Sequence, residues 1–112
     1  MEFRRMGRSG LKLSAISLGS WITFGDQIQK TTAAELIQRA YEEGINFFDS
    51  ADVYASGESE RVMGEAIKEL PREELVISSK VYWPTMQGPN GRGLSRKHIM
   101  ESCNASLKRM DL

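Results

Sequence analysis

Three short apolar runs along the chain each end in a polar signature, and the signatures recur at nearly equal spacing. Gly19-Ser20-Trp21, Asp49 and Lys80 follow one another at steps of 30 and 31 residues. The apolar runs are typical of buried strands, and an amphipathic helical pattern follows each of them. Because right-handed crossovers make successive strands parallel, we expect all three strand ends on one face. In α/β barrels that face carries the active site.

The strand ends supply a carboxylate and an ammonium, and the loop after Asp49 adds the phenol of Tyr54. A phenol beside an ammonium is a stronger acid, because positive charge favours the phenolate. With Asp49 orienting Lys80, the set suits proton donation to a carbonyl oxygen while hydride arrives at the carbon. A purely structural Asp49–Lys80 ion pair, with Tyr54 packed in a loop, is the alternative that the spacing leaves open.

The whole chain, 1–112, is predicted to be a single segment of α/β class. It would contain a β-hairpin in residues 1–14 and three βα units with parallel strands in 15–112. The strands are expected near 15–19, 45–49 and 75–80. The first helix is predicted to start near Thr32, with Thr32–Glu35 as a capping box, and to end at Gly44. The second is predicted over 58–70, and the third after Ser95 as its N-cap.

The third helix carries an apolar stripe at helical spacing, which predicts its buried face. Its members are Ile99, Met100, Cys103, Leu107 and Met110. Cys103 is therefore expected in the core, and His98, near the helix start, at an exposed position.

The composition and the N-terminal segment exclude several classes of binding partner and indicate a cellular compartment. Fifteen basic and fifteen acidic residues balance, so a general attraction to nucleic acid or an anionic membrane is not expected. The apolar stretches are too short to span a bilayer. A single cysteine provides neither a disulfide framework nor a cysteine-based zinc cluster, and no metal site is predicted. Since the N-terminus lacks the apolar core of a secretory signal, a cytoplasmic protein is expected.

These motifs together resemble the N-terminal part of an aldo-keto reductase, over essentially the whole chain. The matching segments are the opening hairpin, 18–21, 44–49, Ala51 with Tyr54, Gly57 with Glu60, and 79–80. Two further segments, 93–99 and 106–109, resemble the branch that includes the β subunits of voltage-gated potassium channels and related bacterial reductases.

The resemblance implies a (β/α)8 barrel that reduces aldehydes or ketones to alcohols with NADPH. It makes Tyr54 the proton donor, with Lys80 strengthening the phenol as an acid and Asp49 supporting Lys80. It places Gly19, Ser20, Trp21 and Asp49 near the nicotinamide. It also predicts a substrate pocket lined by Trp21, Tyr54, Tyr82 and Trp83, although Tyr82 and Trp83 would serve equally well as loop anchors.

Three βα units make a partial (β/α)8 barrel, since a closed one typically needs about 250 residues. The family's catalytic histidine follows a fourth strand, and His98 does not match it. The chain alone is therefore expected to be inactive, and its unpaired strand edges favour a homo-oligomer or a complementing chain. Two alternatives stay open: a nucleotide-binding regulatory subunit resembling the channel β subunits, and a non-catalytic structural fragment.

Overall fold

An antiparallel hairpin and a three-stranded parallel sheet form the strand framework of the chain. The computed structural model describes residues 1–21, 24–25, 28 and 30–112. In the hairpin, β1 (Phe3–Arg5) pairs with β2 (Lys12–Ser14). The parallel strands are β3 (Leu18–Gly19), β4 (Phe47–Asp49) and β5 (Val76–Ser78), in the order β3-β4-β5. The predicted hairpin and the three parallel strands are confirmed, with each strand shorter than predicted.

Three helices alternate with the parallel strands: α1 (Lys30–Glu42), α2 (Glu58–Ile67) and α3 (Arg96–Met110). Helix α1 begins before Thr32, so the predicted capping box at that residue is wrong. Its predicted end is confirmed, because Gly44 adopts φ +87° and its N–H donates to the Tyr41 carbonyl at 2.8 Å. The predicted N-cap of α3 is also confirmed, since the Ser95 hydroxyl accepts the His98 N–H at 3.1 Å.

The hydrophobic core lies between the parallel sheet and helices α1 and α2, and α3 adds one residue to it. Phe48 on the central strand is fully buried, as are Ile37 of α1 and Met63 of α2. Burial of such side chains stabilises the fold by about 1.5–3 kcal/mol each. The other buried members are Phe24, Ala33, Val62, Ile67, Leu70, Leu75 and Met110. Among the described residues, no helix is long and apolar enough to cross a membrane.

Helix α3 packs on α2 through a different face from the predicted one. Its buried residues are His98, Ser102, Ser106 and Met110. The predictions of an exposed His98 and a core Cys103 are therefore wrong, since His98 is 0% exposed and Cys103 is exposed. Of the predicted stripe only Met110 is buried; Ile99, Met100 and Leu107 are exposed together with Cys103.

A close approach of two backbones holds the C-terminal end of α3 on α2. A Cβ atom at Gly64 of α2 would lie 2.5 Å from the Met110 Cα. Four members of the apolar stripe line an open groove with Ile77 near the end of β5; they are Ile99, Cys103, Leu107 and Met110.

Candidate active site

The register of the parallel sheet brings the predicted strand-end residues to one face. Gly19 pairs with Asp49, and Asp49 pairs with Ser78. Backbone bonds continue beyond the strands: Ser50 N donates to the Ser78 carbonyl at 2.9 Å. Asp52 N likewise donates to the Lys80 carbonyl at 3.2 Å. The two segments that follow β4 and β5 therefore stay side by side as far as Lys80.

Lys80 and Asp49 form the ion pair that the sequence predicted. The Lys80 Nζ donates to Asp49 Oδ2 at 2.5 Å and to the Ser50 carbonyl at 2.7 Å. The other Asp49 oxygen accepts the Ser78 hydroxyl at 2.5 Å. Because both of its oxygens are engaged, the Asp49 carboxylate fixes the position of the Lys80 ammonium.

Tyr54 lies against this ion pair. The Lys80 Nζ is 5.0 Å from the centroid of the Tyr54 ring, within the range of a cation–π contact. Partial burial by itself lowers the pKa of Lys80. The hydrogen bonds and charges of Asp49 and Tyr54 outweigh it, so the pKa is raised above its ordinary value of 10.5. Lys80 therefore stays an ammonium at neutral pH and faces the phenol with its charge.

The turn that carries Tyr54 has an unusual backbone. A 3₁₀ turn spans Tyr54–Gly57, and within it Ala55 and Ser56 have φ of 47° and 54°. Left-handed conformations at non-glycine residues cost energy and persist where the surroundings fix them, which is common at functional sites. The phenol is therefore presented by a segment with a defined shape, immediately before α2.

The predicted pocket residues surround Tyr54 on two sides. Trp21, 70% exposed, stacks on the Tyr54 ring with centroids 6.0 Å apart and planes 20° apart. Tyr82 and Trp83 make an edge contact at 5.3 Å and line, with Tyr54 and Lys80, a cavity of about 250 Å³. Both are largely exposed, so they do not anchor the loop by burial. Their part in substrate binding stays a prediction.

Ser20 takes a different position from its predicted neighbours Gly19 and Trp21. It is 0% exposed, whereas they are exposed. Its hydroxyl accepts from Ser59 at 2.8 Å and lies 3.0 Å from the Ser50 hydroxyl. The Ser20 side chain therefore belongs to a buried layer beneath the site.

A second buried layer was missed from the sequence, and its centre is Glu60 in the first turn of α2. This carboxylate is 0% exposed. It accepts from the Ser79 hydroxyl at 2.6 Å and from Arg109 Nε at 2.5 Å. A signal was present, because Glu60 lies at helical spacing from the buried residues Met63 and Ile67.

Asp52 and His98 are buried nearby. Burial is the main reason that the pKa of Asp52 is raised; Glu60 adds to it, whereas Arg109 and His98 oppose it. Within the described part of the chain, Asp52 Oδ2 and both ring nitrogens of His98 have no hydrogen-bond partner. Among the same residues, no three His, Cys, Asp or Glu side chains are grouped as a metal site requires.

Comparison with known proteins agrees with this geometry. The model of the aldo/keto reductase family matches residues 15–112. A probable voltage-gated potassium channel subunit beta from Arabidopsis thaliana is 49% identical over 114 residues, which cover 100% of this chain and 34% of the relative. The corresponding protein of Oryza sativa subsp. japonica is 47% identical with the same coverage. The chain thus spans about a third of the length of the curated relatives it matches.

A solved structure shows the architecture to which this segment corresponds. A thermostable aldo-keto reductase, crystallised with the inhibitor epalrestat, superposes with a TM-score of 0.82 and 35% sequence identity. The match covers 99% of this chain and 39% of that one. The predicted partial barrel of the aldo-keto reductase type is therefore confirmed.

Proposed function

The chain belongs to the aldo/keto reductase family, and from that premise we propose that it carries the proton donor for NADPH-dependent reduction of aldehydes or ketones to alcohols. The observation that carries the proposal is the Lys80 ammonium, bonded to Asp49 and 5.0 Å from the centroid of the Tyr54 ring. A purely structural ion pair does not need a phenol beside it. An ammonium held next to a phenol is the arrangement that proton donation by the phenol needs.

In the proposed reaction, Tyr54 transfers its hydroxyl proton to the carbonyl oxygen of the substrate. Lys80 stabilises the phenolate that remains, and Asp49 holds Lys80 charged and in place. NADPH, when bound, would supply the hydride for the carbonyl carbon. The cavity bounded by Tyr82 and Trp83 would receive the substrate beside the phenol.

The exposed residues at the end of β3 suit a flat ring. Among the described residues, a Cβ at Gly19 would meet no atom within 4 Å, so the surface there is open to the extent that it is described. Next to it, Trp21 presents an exposed aromatic face that continues the Tyr54 stack. Gly19 and Trp21 would therefore contact the nicotinamide, while Ser20 and Asp49 support them from below.

The reaction is proposed for a protein that contains this chain together with the rest of a barrel. The chain spans 34% of the length of its curated relatives, and we expect the 112 residues alone to turn over little or no substrate. A homo-oligomer or a complementing chain, in the cytoplasm, belongs to the same proposal.

The test is an absorbance assay at 340 nm with NADPH and an aromatic aldehyde. Three proteins are compared: the chain as it stands, Tyr54→Phe, and Tyr41→Phe as the matched control. Tyr41 bonds to Glu74 instead of facing Lys80. Turnover that is lost in Tyr54→Phe and kept in Tyr41→Phe supports the donor role. Turnover retained in Tyr54→Phe removes Tyr54 as the donor. Absence of turnover in all three is the result expected for the 112 residues alone, and the same comparison is then made in a protein that contains the rest of the barrel, where it decides the role of Tyr54.

A second function has an observation of its own in its favour, the 49% identity to a probable potassium channel subunit beta. In that reading the site holds NADPH as part of a regulatory subunit. Nucleotide binding with oligomer formation and very slow turnover would favour it. Fast reduction of simple aldehydes would favour the enzyme, and self-association without nucleotide affinity would indicate a structural role.

A further inference from the structure

We propose that Glu60 and Ser79 form a positioning pair, which sets the geometry of Lys80 from the helical side of β5. The geometric part stands alone, and its consequence for catalysis rests on the proposed reductase function. Neither side chain is hydrogen-bonded to Tyr54 or Asp49 in the described part of the chain, so both would act through Lys80.

The alternation of side chains along the β5 segment is the first step. Ser78 and Lys80 both bond to Asp49, on the face that carries the candidate site. Ser79, between them, points to the opposite face, as successive residues of an extended segment do. There its hydroxyl donates to Glu60 Oε1 at 2.6 Å. The residue directly before Lys80 is thus tied to α2.

The second step is that Glu60 is itself held firmly. Arg109 of α3 donates to its other oxygen and also to the Ser106 hydroxyl, at 3.2 Å. Arg109 passes over Gly57, where a Cβ would lie 2.9 Å from the Arg109 Cδ. A fully buried carboxylate with both oxygens paired is a rigid acceptor, because any displacement would leave a charge unpaired.

The third step concerns how the end of β5, which carries Lys80, is held in place. Strand β5 lies at the edge of the described sheet, so backbone bonds reach its end from the β4 side only. The bond to Glu60 holds the same segment from the helices. With it, the Lys80 backbone is fixed on two sides, and its half-exposed side chain is directed to Asp49.

The test observes the Lys80 ammonium by NMR in the 112-residue chain, labelled with ¹⁵N-lysine and assigned by comparison with Lys80→Arg. The variant Ser79→Ala removes the bond and leaves the Glu60–Arg109 pair. Ser79→Thr keeps a hydroxyl. Ser102→Ala is the matched control. Ser102 is a buried serine that lines, together with Ser79, the groove between α3 and the end of β5, and its hydroxyl has no partner among the described residues.

In the unmodified chain we expect the titration midpoint of Lys80 to lie above its ordinary value of 10.5, since its bonds to Asp49 favour the charged form. Ser79→Ala should lower that midpoint and shift the Lys80 signals, whereas Ser79→Thr and Ser102→Ala should leave both unchanged. A role in stability alone would leave the midpoint unchanged in the folded protein. Ser79→Cys, similar in size and a poor donor, should reproduce these changes if alanine reduces the folded fraction.

Unchanged Lys80 signals in folded Ser79→Ala would overturn the proposal, and so would a Lys80 titration midpoint at or below 10.5 in the unmodified chain. Neither readout uses NADPH or turnover, so this failure is separate from failure of the reductase assay. In an active assembly, Ser79→Ala should lower kcat with little change in KM, and Ser79→Thr should restore it.

Discussion

Replacement of Gly64 by alanine tests the contact that sets the position of α3. The added Cβ would lie 2.5 Å from the Cα and 2.6 Å from the carbonyl oxygen of Met110. Both are backbone atoms, so no side-chain rotation relieves the overlap. The helices must separate, and the separation draws Arg109 of α3 away from Glu60 of α2.

The expected change in the free energy of unfolding follows from two opposing effects. Alanine is favoured over glycine inside a helix by about 1 kcal/mol. Overpacking costs about 1–3 kcal/mol, and a backbone clash this close belongs at the upper end. We therefore expect the Gly64→Ala variant to lose about 2 kcal/mol of unfolding free energy.

Urea denaturation followed by circular dichroism measures this loss. Ala66→Gly, on the same helix, is the control for propensity, and it should cost about 1 kcal/mol without any clash. Adding Met110→Ala to Gly64→Ala should give no rescue, because the clash is with the Met110 backbone. A Gly64→Ala variant as stable as the unmodified chain would refute the close approach of α2 and α3.

Two further predictions concern the buried polar layers. Asp52→Asn should raise the free energy of unfolding at neutral pH: because burial raises the pKa of Asp52, ionisation of this carboxyl opposes folding as pH rises. The gain should shrink toward zero as pH falls to about 3.8, the unfolded value, and urea titrations across that range would show a constant gain if the reasoning is wrong. Ser20→Ala should cost about 0.5–1.5 kcal/mol, because it removes the hydroxyl that bonds to Ser59 and Ser50, while Ser59 keeps the Ser20 backbone carbonyl as an acceptor. The same measurement on Ser17→Ala, at an exposed position, should show almost no change, and equal losses in the two variants would contradict the buried layer.

The strand framework and the candidate site follow from patterns that sequence expresses directly. Asp49 and Lys80 end consecutive apolar runs, and parallel strands bring such ends to one face. Their ion pair was therefore predictable. Tyr54 was predictable as a neighbour because it follows Asp49 by five residues in a loop above the same face.

The packing of α3 could not be derived in this way. Its apolar stripe predicted a buried face, yet the residues of α3 that are buried are His98, two serines and Met110. A hydrophobic pattern shows which residues favour burial, but the position of α3 also depends on its backbone contact with Gly64, a glycine on another helix. The pairing of Glu60 with Arg109 escaped for the same reason, because it joins residues 49 positions apart on two helices.

The first turn of α2 connects these features physically. Ser59 bonds to Ser20 beneath the ends of β3 and β4, and the adjacent Glu60 bonds to Ser79 behind the end of β5. Tyr54 begins the turn that leads directly into this helix. One short segment therefore contacts all three strand ends and presents the phenol. A displacement of α2 would move the phenol and the ammonium together. The distance between Tyr54 and Lys80 should therefore vary less than the distance of either residue from the hairpin.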